Sequence, residues 1–233
     1  MRILIAVKSC NRDRLSGCHD AIRETWGKDF PSNVDVRFFV GGSDFIGSTG
    51  TNILKSDEIL VNAKDDLVNL PIKVREAAKW SVQQGYDFTY FCDVDTFVIP
   101  KRLMESGFEA YDYFGRFMQD GPTRLIEKFR DGRLGDIPNV WNYASGGVGY
   151  VLSRRATEKI SEMVPVHYAE DFSVGQVLGP YTSTGAMKAA YPKNFDNYVA
   201  WHYCMWGKTG YCWPNSIGFN PKWMRESYRK GQP

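Results

Sequence analysis

Two short apolar runs near the amino terminus constrain the fold of this chain more than any other feature. The run from Met1 to Val7 alternates little between apolar and polar residues, which is typical of a strand buried in a mostly parallel sheet. The run from Val34 to Val40 is β-branched and aromatic and closes at two glycines, as a second strand would. Between them we expect a helix that Ser16 caps and Gly27 ends. The chain is therefore predicted to begin β-α-β.

A longer helix and a further strand follow. Apolar positions recur at helical spacing from Asp65 to Gln84, and we expect the regular helix to begin near Pro71, where a missing N–H costs least. Gly85 supplies its end. Phe88 to Cys92 is predicted to be a strand, so Asp93 would lie just past its carboxyl end. In open α/β sheets, ligands bind at that edge.

The second half is less regular. Its predicted elements are strands at Tyr111 to Met118 and Gly146 to Leu152 and helices at Arg154 to Met163 and Asp171 to Leu178. We therefore expect one α/β domain of 233 residues with a Rossmann-like, mostly parallel central sheet flanked by helices. Residues 1–98 or so would bind a nucleotide, and about 99–233 would build the acceptor site.

Composition and charge exclude several classes of protein. A hydrophobic fraction of 43% without low-complexity tracts is typical of a folded chain, and a net charge of +2 argues against a polyanion as the main partner. No apolar run is long enough for a membrane span or a signal peptide, so we expect a soluble, cytoplasmic protein. The five scattered cysteines suit a reducing compartment, with Cys204 and Cys212 the local disulfide candidate.

Two carboxylates one residue apart, Asp93 and Asp95, follow the predicted strand at Phe88 to Cys92 and are flanked by apolar residues. Ionised groups in such surroundings need compensation, which a divalent cation supplies. Oxygen ligands suit Mg²⁺ or Mn²⁺, which bridge the phosphates of a nucleotide diphosphate and neutralise a departing one. A solvated turn is the alternative interpretation of this tripeptide.

Five blocks of sequence, in order, resemble the β-1,3-glycosyltransferase family that includes Fringe and the β-1,3-galactosyl- and N-acetylglucosaminyltransferases. The blocks are Ala21 to Trp26, Asp66 to Lys73, Asp93 to Asp95, Tyr143 to Ser153 and Glu170 to Gly175. The chain departs from the family pattern at Val94, which replaces a middle acid, and at Leu67 and Val68, which replace a tyrosine-containing stretch.

This resemblance implies a GT-A fold, a UDP-sugar donor, Mn²⁺ with Mg²⁺ as the alternative, and inverting transfer of a hexose such as galactose or N-acetylglucosamine to a hydroxyl, most simply that of a glycan. It places the catalytic base at Asp171 and a third metal ligand, beside Asp93 and Asp95, at His202. Without the resemblance, Asp171 would be interpreted as part of an acidic helix start and His202 as a packed core residue.

Four further residues are candidates for contact with the donor. Arg23 has the planar guanidinium that recognises a diphosphate or uracil, and Lys73 matches a donor contact by resemblance. Gly146 and Gly147 allow the backbone to approach a sugar closely. Each has an alternative interpretation. Arg23 would form an ion pair with Asp20 or Glu24, and Lys73 would be an ordinary exposed lysine. Gly146 and Gly147 would mark a bulged strand.

Two other functions remain open on the sequence alone. A non-catalytic carbohydrate-binding module would keep the fold and hold glycans with its aromatic residues. A glycosyltransferase acting on a hydroxylated DNA base would take nucleic acid as its acceptor.

Overall fold

In the computed structural model, the described residues are 1–42, 53–118, 143–165, 168–179, 183–187, 189–190, 199–202 and 221–229. The predicted β-α-β start is confirmed. Strand β1 (Ile3–Lys8) is buried along its whole length and pairs in parallel with β2 (Val34–Gly41), with Ile3 opposite Val34. The near-continuous apolar run of β1 thus corresponds to a strand covered on both faces.

The predicted first helix is two helices, α1 (Asn11–Leu15) and α2 (Cys18–Glu24), followed by a short 3-10 helix at Trp26–Asp29. The predicted cap at Ser16 is wrong, because Ser16 Oγ donates to the carbonyl of Asp13 at 2.9 Å. Gly17 precedes α2 at φ +85°, a left-handed conformation that glycine adopts readily. The chain turns there, so α2 starts one residue later than a serine cap would allow.

The next part of the chain follows the prediction closely. After β3 (Glu58–Val61), α3 spans Leu70–Gln84 with Pro71 in its first turn, and Gly85 ends it at φ +75°. Strand β4 (Phe88–Asp93) then includes Asp93 as its last residue. The helix therefore begins near the proline, as predicted, and the strand is one residue longer than predicted.

The second half consists of short elements. In the described residues they are β5 (Thr96–Val98), α4 (Pro100–Met104), a 3-10 helix (Phe108–Ala110), β6 (Tyr113–Gly115), β7 (Phe117–Met118), β8 (Tyr143–Ala144), β9 (Tyr150–Ser153), α5 (Arg154–Ser161), α6 (Glu170–Leu178), β10 (Thr184–Ala186), β11 (Ala189–Ala190), β12 (Ala200–His202) and α7 (Pro221–Arg229).

Two strand predictions in this half need correction. The single strand predicted at Tyr111 to Met118 is two strands, β6 and β7, in different sheets. The strand predicted from Gly146 begins only at Tyr150, because residues 145–149 form a turn in which Gly149 has φ +92°. Glycines in this segment therefore serve a turn rather than a strand.

The main sheet has the order β10-β6-β9-β4-β1-β2-β3. Its neighbouring strands are parallel except around β9, which runs antiparallel to both β4 and β6. A smaller sheet, β11-β12-β5, and the pair β7-β8 complete the described pairing.

Alternate residues of β1 pack into two cores on opposite faces of the main sheet. Ile3, Ile5 and Val7 belong to a cluster that includes residues of α2, whereas Leu4 and Ala6 belong to one with residues of α3, α5 and α6. This mixed, mostly parallel sheet with flanking helices confirms the predicted α/β fold class. No helix in the described part of the chain is long and apolar enough to cross a membrane.

Candidate active site

The predicted metal-binding tripeptide forms the turn between β4 and β5, at the carboxyl edge of the main sheet. Asp93 and Asp95 are partly exposed there, whereas Val94 is 6% exposed and belongs to the hydrophobic core. The amide of Val94 donates to the carbonyl of Lys8 at 3.1 Å, which fixes the turn to the end of β1. Because the middle residue packs inward, valine fits this position and the two flanking carboxylates are retained.

A distant segment is brought to the same place by the smaller sheet. Strand β12 pairs antiparallel with β5, and the register puts the Cα of His202 opposite that of Thr96, the residue after Asp95. The side chain of His202 lies outside the description. The backbone alone therefore brings His202 next to the acidic turn, across more than a hundred residues of chain.

Residues 145–149 form a turn beside the acidic residues, which we call the glycine turn. Three of its carbonyls accept hydrogen bonds from neighbouring strands: Gly146 from Lys8 Nζ at 3.0 Å, Gly147 from Thr96 Oγ1 at 2.5 Å, and Val148 from the Tyr90 hydroxyl. Gly146 and Gly147 therefore lie at the same edge as Asp93 and Asp95, in a segment fixed on several sides.

Asp171 lies in the first turn of α6 and contacts this turn directly. Its Oδ2 accepts from the amide of Gly146 at 3.1 Å, and its Oδ1 accepts from the amide of Phe172 at 2.9 Å. An acid at a helix start is favoured by the helix dipole, as the alternative interpretation expected. Because it contacts Gly146, this carboxylate also lies at the sheet edge where the candidate metal ligands converge.

Two buried charged residues that the sequence did not single out join these parts together. Lys8 and Glu170 are 4% and 3% exposed. Lys8 Nζ forms ion pairs with Asp93 Oδ1, at 3.0 Å, and with Glu170 Oε1, and the Tyr150 hydroxyl donates to Glu170 Oε2 at 3.2 Å. We call Lys8, Asp93 and Glu170 the edge cluster. A lysine that ends an otherwise apolar strand was the available sequence signal.

Burial and charge act in opposite directions within the edge cluster. Burial by itself lowers the pKa of Lys8, but the carboxylates of Asp93 and Glu170 outweigh it and hold that pKa above its usual value. Burial raises the pKa of Glu170 to about 7, assisted by the negative charges of Asp171 and Asp93 and opposed by Lys8. Lys8 is therefore a permanent cation beneath the acidic turn.

Lys73, a predicted donor contact, is buried near the carboxyl ends of β1 and β2. Its Nζ lies 2.7 Å from Asp65 Oδ1 and also donates to the carbonyl of Ser9. The same Asp65 carboxylate accepts from the amides of Asn11 and Gly41 at 2.7 and 2.6 Å. Lys73 thus holds together the loops that border the expected nucleotide site, and its contact with the donor stays a prediction.

Arg23 lies in a second group of charges, which we call the distal cluster: His19, Arg23, Asp57 and Glu58. The Arg23 guanidinium donates to Asp57, at 2.6 and 2.8 Å, and to Glu58, at 2.8 Å, and also pairs with Asp20 as the alternative interpretation expected. It stacks over Phe38, 4.9 Å from the ring centre. Engaged in this way, Arg23 is a structural cation in the described fold, and its donor contact stays a prediction.

Among known proteins, the chain resembles solved structures, whereas neither family models nor curated sequences match it. The galactosyltransferase LgtC, solved with donor and acceptor sugar analogs, has a TM-score of 0.47 and 10% identity over 99% of this chain and 96% of that one. An active-site mutant of LgtC has a TM-score of 0.45 and 12% identity, covering 97% and 94% of the two chains. A197 from STIV has a TM-score of 0.43 and 18% identity, covering 80% and 82%.

These likenesses identify neither substrate nor stereochemistry. Two carboxylates and a nearby histidine position are a donor set that suits Mn²⁺. Among the side chains that the structure describes, no group of three or more His, Cys, Asp or Glu is arranged to hold a metal ion. Asp93 and Asp95 are two of the three predicted ligands, and the side chain of the third, His202, is outside the description, so the ligand set stays a prediction.

The predicted disulfide between Cys204 and Cys212 lies outside the described residues. The described cysteines, Cys10, Cys18 and Cys92, are free thiols.

Proposed function

We propose that this chain is an inverting, metal-dependent glycosyltransferase that moves a hexose, such as galactose or N-acetylglucosamine, from a UDP-sugar to a hydroxyl of a glycan. The observation that carries the proposal is the convergence at one sheet edge of Asp93, Asp95, Gly146, Asp171 and the backbone of His202. These positions come from four separate segments of the chain. Their convergence is expected of an active site and is not required by packing alone.

In the proposed site, Asp93, Asp95 and His202 would hold Mn²⁺. When bound, the ion neutralises charge on the departing diphosphate. Residues up to about 98 hold the nucleotide, in keeping with ligand binding at the carboxyl ends of parallel strands. Gly146 and Gly147 border the sugar because they present backbone without side chains.

Asp171 is the proposed catalytic base. The acceptor hydroxyl oxygen bonds to the anomeric carbon as the bond from that carbon to the diphosphate oxygen breaks, and the hydroxyl proton passes to the Asp171 carboxylate. The amides of Gly146 and Phe172 orient this carboxylate before substrate binds. Attack from the face opposite the leaving group inverts the configuration at the anomeric carbon.

In the test, the protein is incubated with each of a panel of UDP-sugars, with and without Mn²⁺, and the UDP released is measured. We expect Mn²⁺-dependent hydrolysis of one donor, because transferases slowly pass the donor sugar to water. Calorimetry with UDP and with free sugars completes the test. Sugar binding that needs neither UDP nor metal would contradict the proposal and indicate a carbohydrate-binding module.

Transfer to the two acceptor classes is compared with the donor found in this way. Radiolabelled UDP-sugar is offered to a glycan mixture and to DNA containing hydroxylated bases. We expect label in the glycans. Label in the DNA, lost at high salt because phosphate contacts dominate, would instead indicate the DNA-modifying alternative.

A further inference from the structure

Lys8 connects the carboxylate assigned to the metal with the carboxylate assigned to proton transfer. Its Nζ lies 3.0 Å from Asp93 Oδ1 and donates to the carbonyl of Gly146 at 3.0 Å. The amide of the same glycine donates to Asp171 Oδ2 at 3.1 Å. A continuous line of contacts therefore runs from Asp93 through Lys8 and Gly146 to Asp171.

We propose that Lys8 is a positioning residue that sets the spacing between the metal carboxylate and the base. The inference rests on the proposed function of Asp93 and Asp171, and it adds a residue that touches neither substrate nor reacting atoms. Lys8 acts at one end by holding Oδ1 of Asp93. At the other end it acts on Asp171 through the glycine between them.

The surroundings of Lys8 exceed what charge balance requires. A buried lysine needs a carboxylate, and Glu170 alone supplies one. Yet Lys8 has two further oxygen partners, Asp93 and the Gly146 carbonyl, and with Glu170 they occupy the three donors of its ammonium group. A fully engaged ammonium with 3% of its side chain exposed is held in one place.

Glu170 and Gly146 complete the arrangement. The Tyr150 hydroxyl holds the second oxygen of Glu170, so the carboxylate that anchors Lys8 is itself fixed. A Cβ at position 146 would collide with the Glu170 carboxylate and would lie 3.1 Å from Lys8 Nζ. A side chain at this position would push the Glu170 carboxylate away from Lys8, which accounts for glycine at position 146 independently of any bound sugar.

The experiment compares the wild type with Lys8→Met, Glu170→Gln and the double variant. Lys8→Met leaves the buried Glu170 carboxylate without its cation, and Glu170→Gln leaves Lys8 with Asp93 as its one remaining carboxylate among the three partners named above. Each single change should therefore lower Tm, whereas the double change removes both buried charges and should recover most of the loss. Hydrolysis is followed with whichever of UDP-galactose, UDP-N-acetylglucosamine or UDP-glucose the wild type cleaves fastest, at saturating Mn²⁺. The measured quantities are Tm, kcat and the KM for the donor.

We expect the double variant to regain Tm but to keep kcat at least ~10-fold below wild type, because misplacement of reacting groups by a fraction of an ångström is costly. Its donor KM should change less than ~3-fold, since the groups that bind the donor remain. Recovery of kcat together with Tm would overturn the inference, because charge balance alone would then explain Lys8. A wild type without Mn²⁺-dependent UDP binding or hydrolysis would instead overturn the proposed function, and this inference with it.

Discussion

The distal and edge clusters are both built from buried charges, yet their positions differ in a way that bears on function. In the distal cluster, Arg23 engages Asp57 and Glu58, and His19 lies 2.9 Å from Glu58 Oε1 and 2.7 Å from Ser9 Oγ. Most of these groups point at one another within the protein. In the edge cluster, Lys8 and Glu170 are as buried as His19 and Glu58, and Asp93 is about as exposed, at 30%, as Asp57, at 24%. The difference is one of place, because Asp93 lies at the carboxyl edge of the sheet.

This difference teaches that a buried ion pair is not by itself a mark of an active site. The distal cluster joins α2 to the start of β3 through ion pairs made within the protein. In the edge cluster, Asp93 is partly exposed where parallel strands end, which is where ligands bind in such folds. Removing a distal residue should therefore affect stability, and removing an edge residue should affect binding or catalysis.

The sharpest test of this contrast is Asp95→Ala. We expect loss of Mn²⁺-dependent UDP binding and a fall in transfer of about 10³-fold or more, because a metal contributes several kcal/mol of charge stabilisation. Isothermal titration with UDP and Mn²⁺ measures the first effect. Asp87→Ala is the matched control, since Asp87 directly precedes the other end of β4 and is 48% exposed. Unchanged metal-dependent binding in the Asp95 variant would contradict the metal site proposed beside the edge cluster.

Asp171→Asn separates binding from chemistry at the same edge. We expect transfer to fall by about 10² to 10⁴-fold, the usual contribution of a general base, with UDP and Mn²⁺ binding retained. Asparagine can accept through its carbonyl oxygen from one of the two amides, Gly146 or Phe172, but not from both, so Tm should fall modestly. Full transfer by this variant would show that the base is another group.

Glu58→Gln carries the comparison to the distal cluster. The Glu58 side chain is 2% exposed, and its charge faces both Arg23 and His19. Because the substitution removes this buried charge, we expect a loss of about 3 kcal/mol in the free energy of unfolding. Urea denaturation measures it. The matched control is Glu158→Gln in a half-exposed pair with Arg154, expected to cost below about 0.5 kcal/mol. Loss of kcat at temperatures where the Glu58 variant is folded would contradict a purely structural role.

The smallest predicted effect is a pH dependence of stability from His19. Burial lowers its pKa below the usual 6.5, although the hydrogen bond with Glu58 partly offsets this. The folded state therefore stays neutral where the unfolded state takes up a proton. The free energy of unfolding therefore keeps its full value above pH 6.5. Below that pH it falls because of His19 by at most about 1.4 kcal/mol per pH unit.

Urea denaturation of the wild type and His19→Gln between pH 7 and pH 5 measures this effect. The free energy of unfolding should fall more steeply with acid in the wild type. Parallel pH profiles would show that the pKa of His19 is the same in the folded and unfolded states.

Much of the fold was predictable because local signals decided it. The uninterrupted apolar run of β1, the proline and glycine that bound α3, and the strand before Asp93 each act within a few residues. The short strands β5 and β12 were missed, because three residues carry almost no periodicity and their pairing joins Thr96 to His202 across the chain. The cap at Ser16 was wrong because a left-handed glycine next to it was the stronger local signal.

The residues of the candidate site likewise divide into those that the sequence could predict and those that it could not. Asp93 and Asp95 could be singled out because they follow an apolar strand, and Asp171 because of the family resemblance. The roles of Lys8 and Glu170 could not be predicted, because their ion pair spans 162 residues, although Glu170 opens one of the five blocks and Lys8 ends an apolar strand. Burial is a property of the folded chain, and it is burial that distinguishes these two residues from ordinary surface charges.

The reversed direction of β9 has a consequence for how closely the site depends on strand pairing. Because β9 runs against β4, the segment that enters it, rather than one that leaves it, borders the ends of β1 and β4. A slip of one residue in the pairing would move the Gly146 carbonyl about 3.3 Å along the strand and turn Tyr150 to the opposite face. The β4–β9 register thus sets the distance between Asp93 and Asp171. A substitution that shifts this register would change that distance even from a position far from both residues.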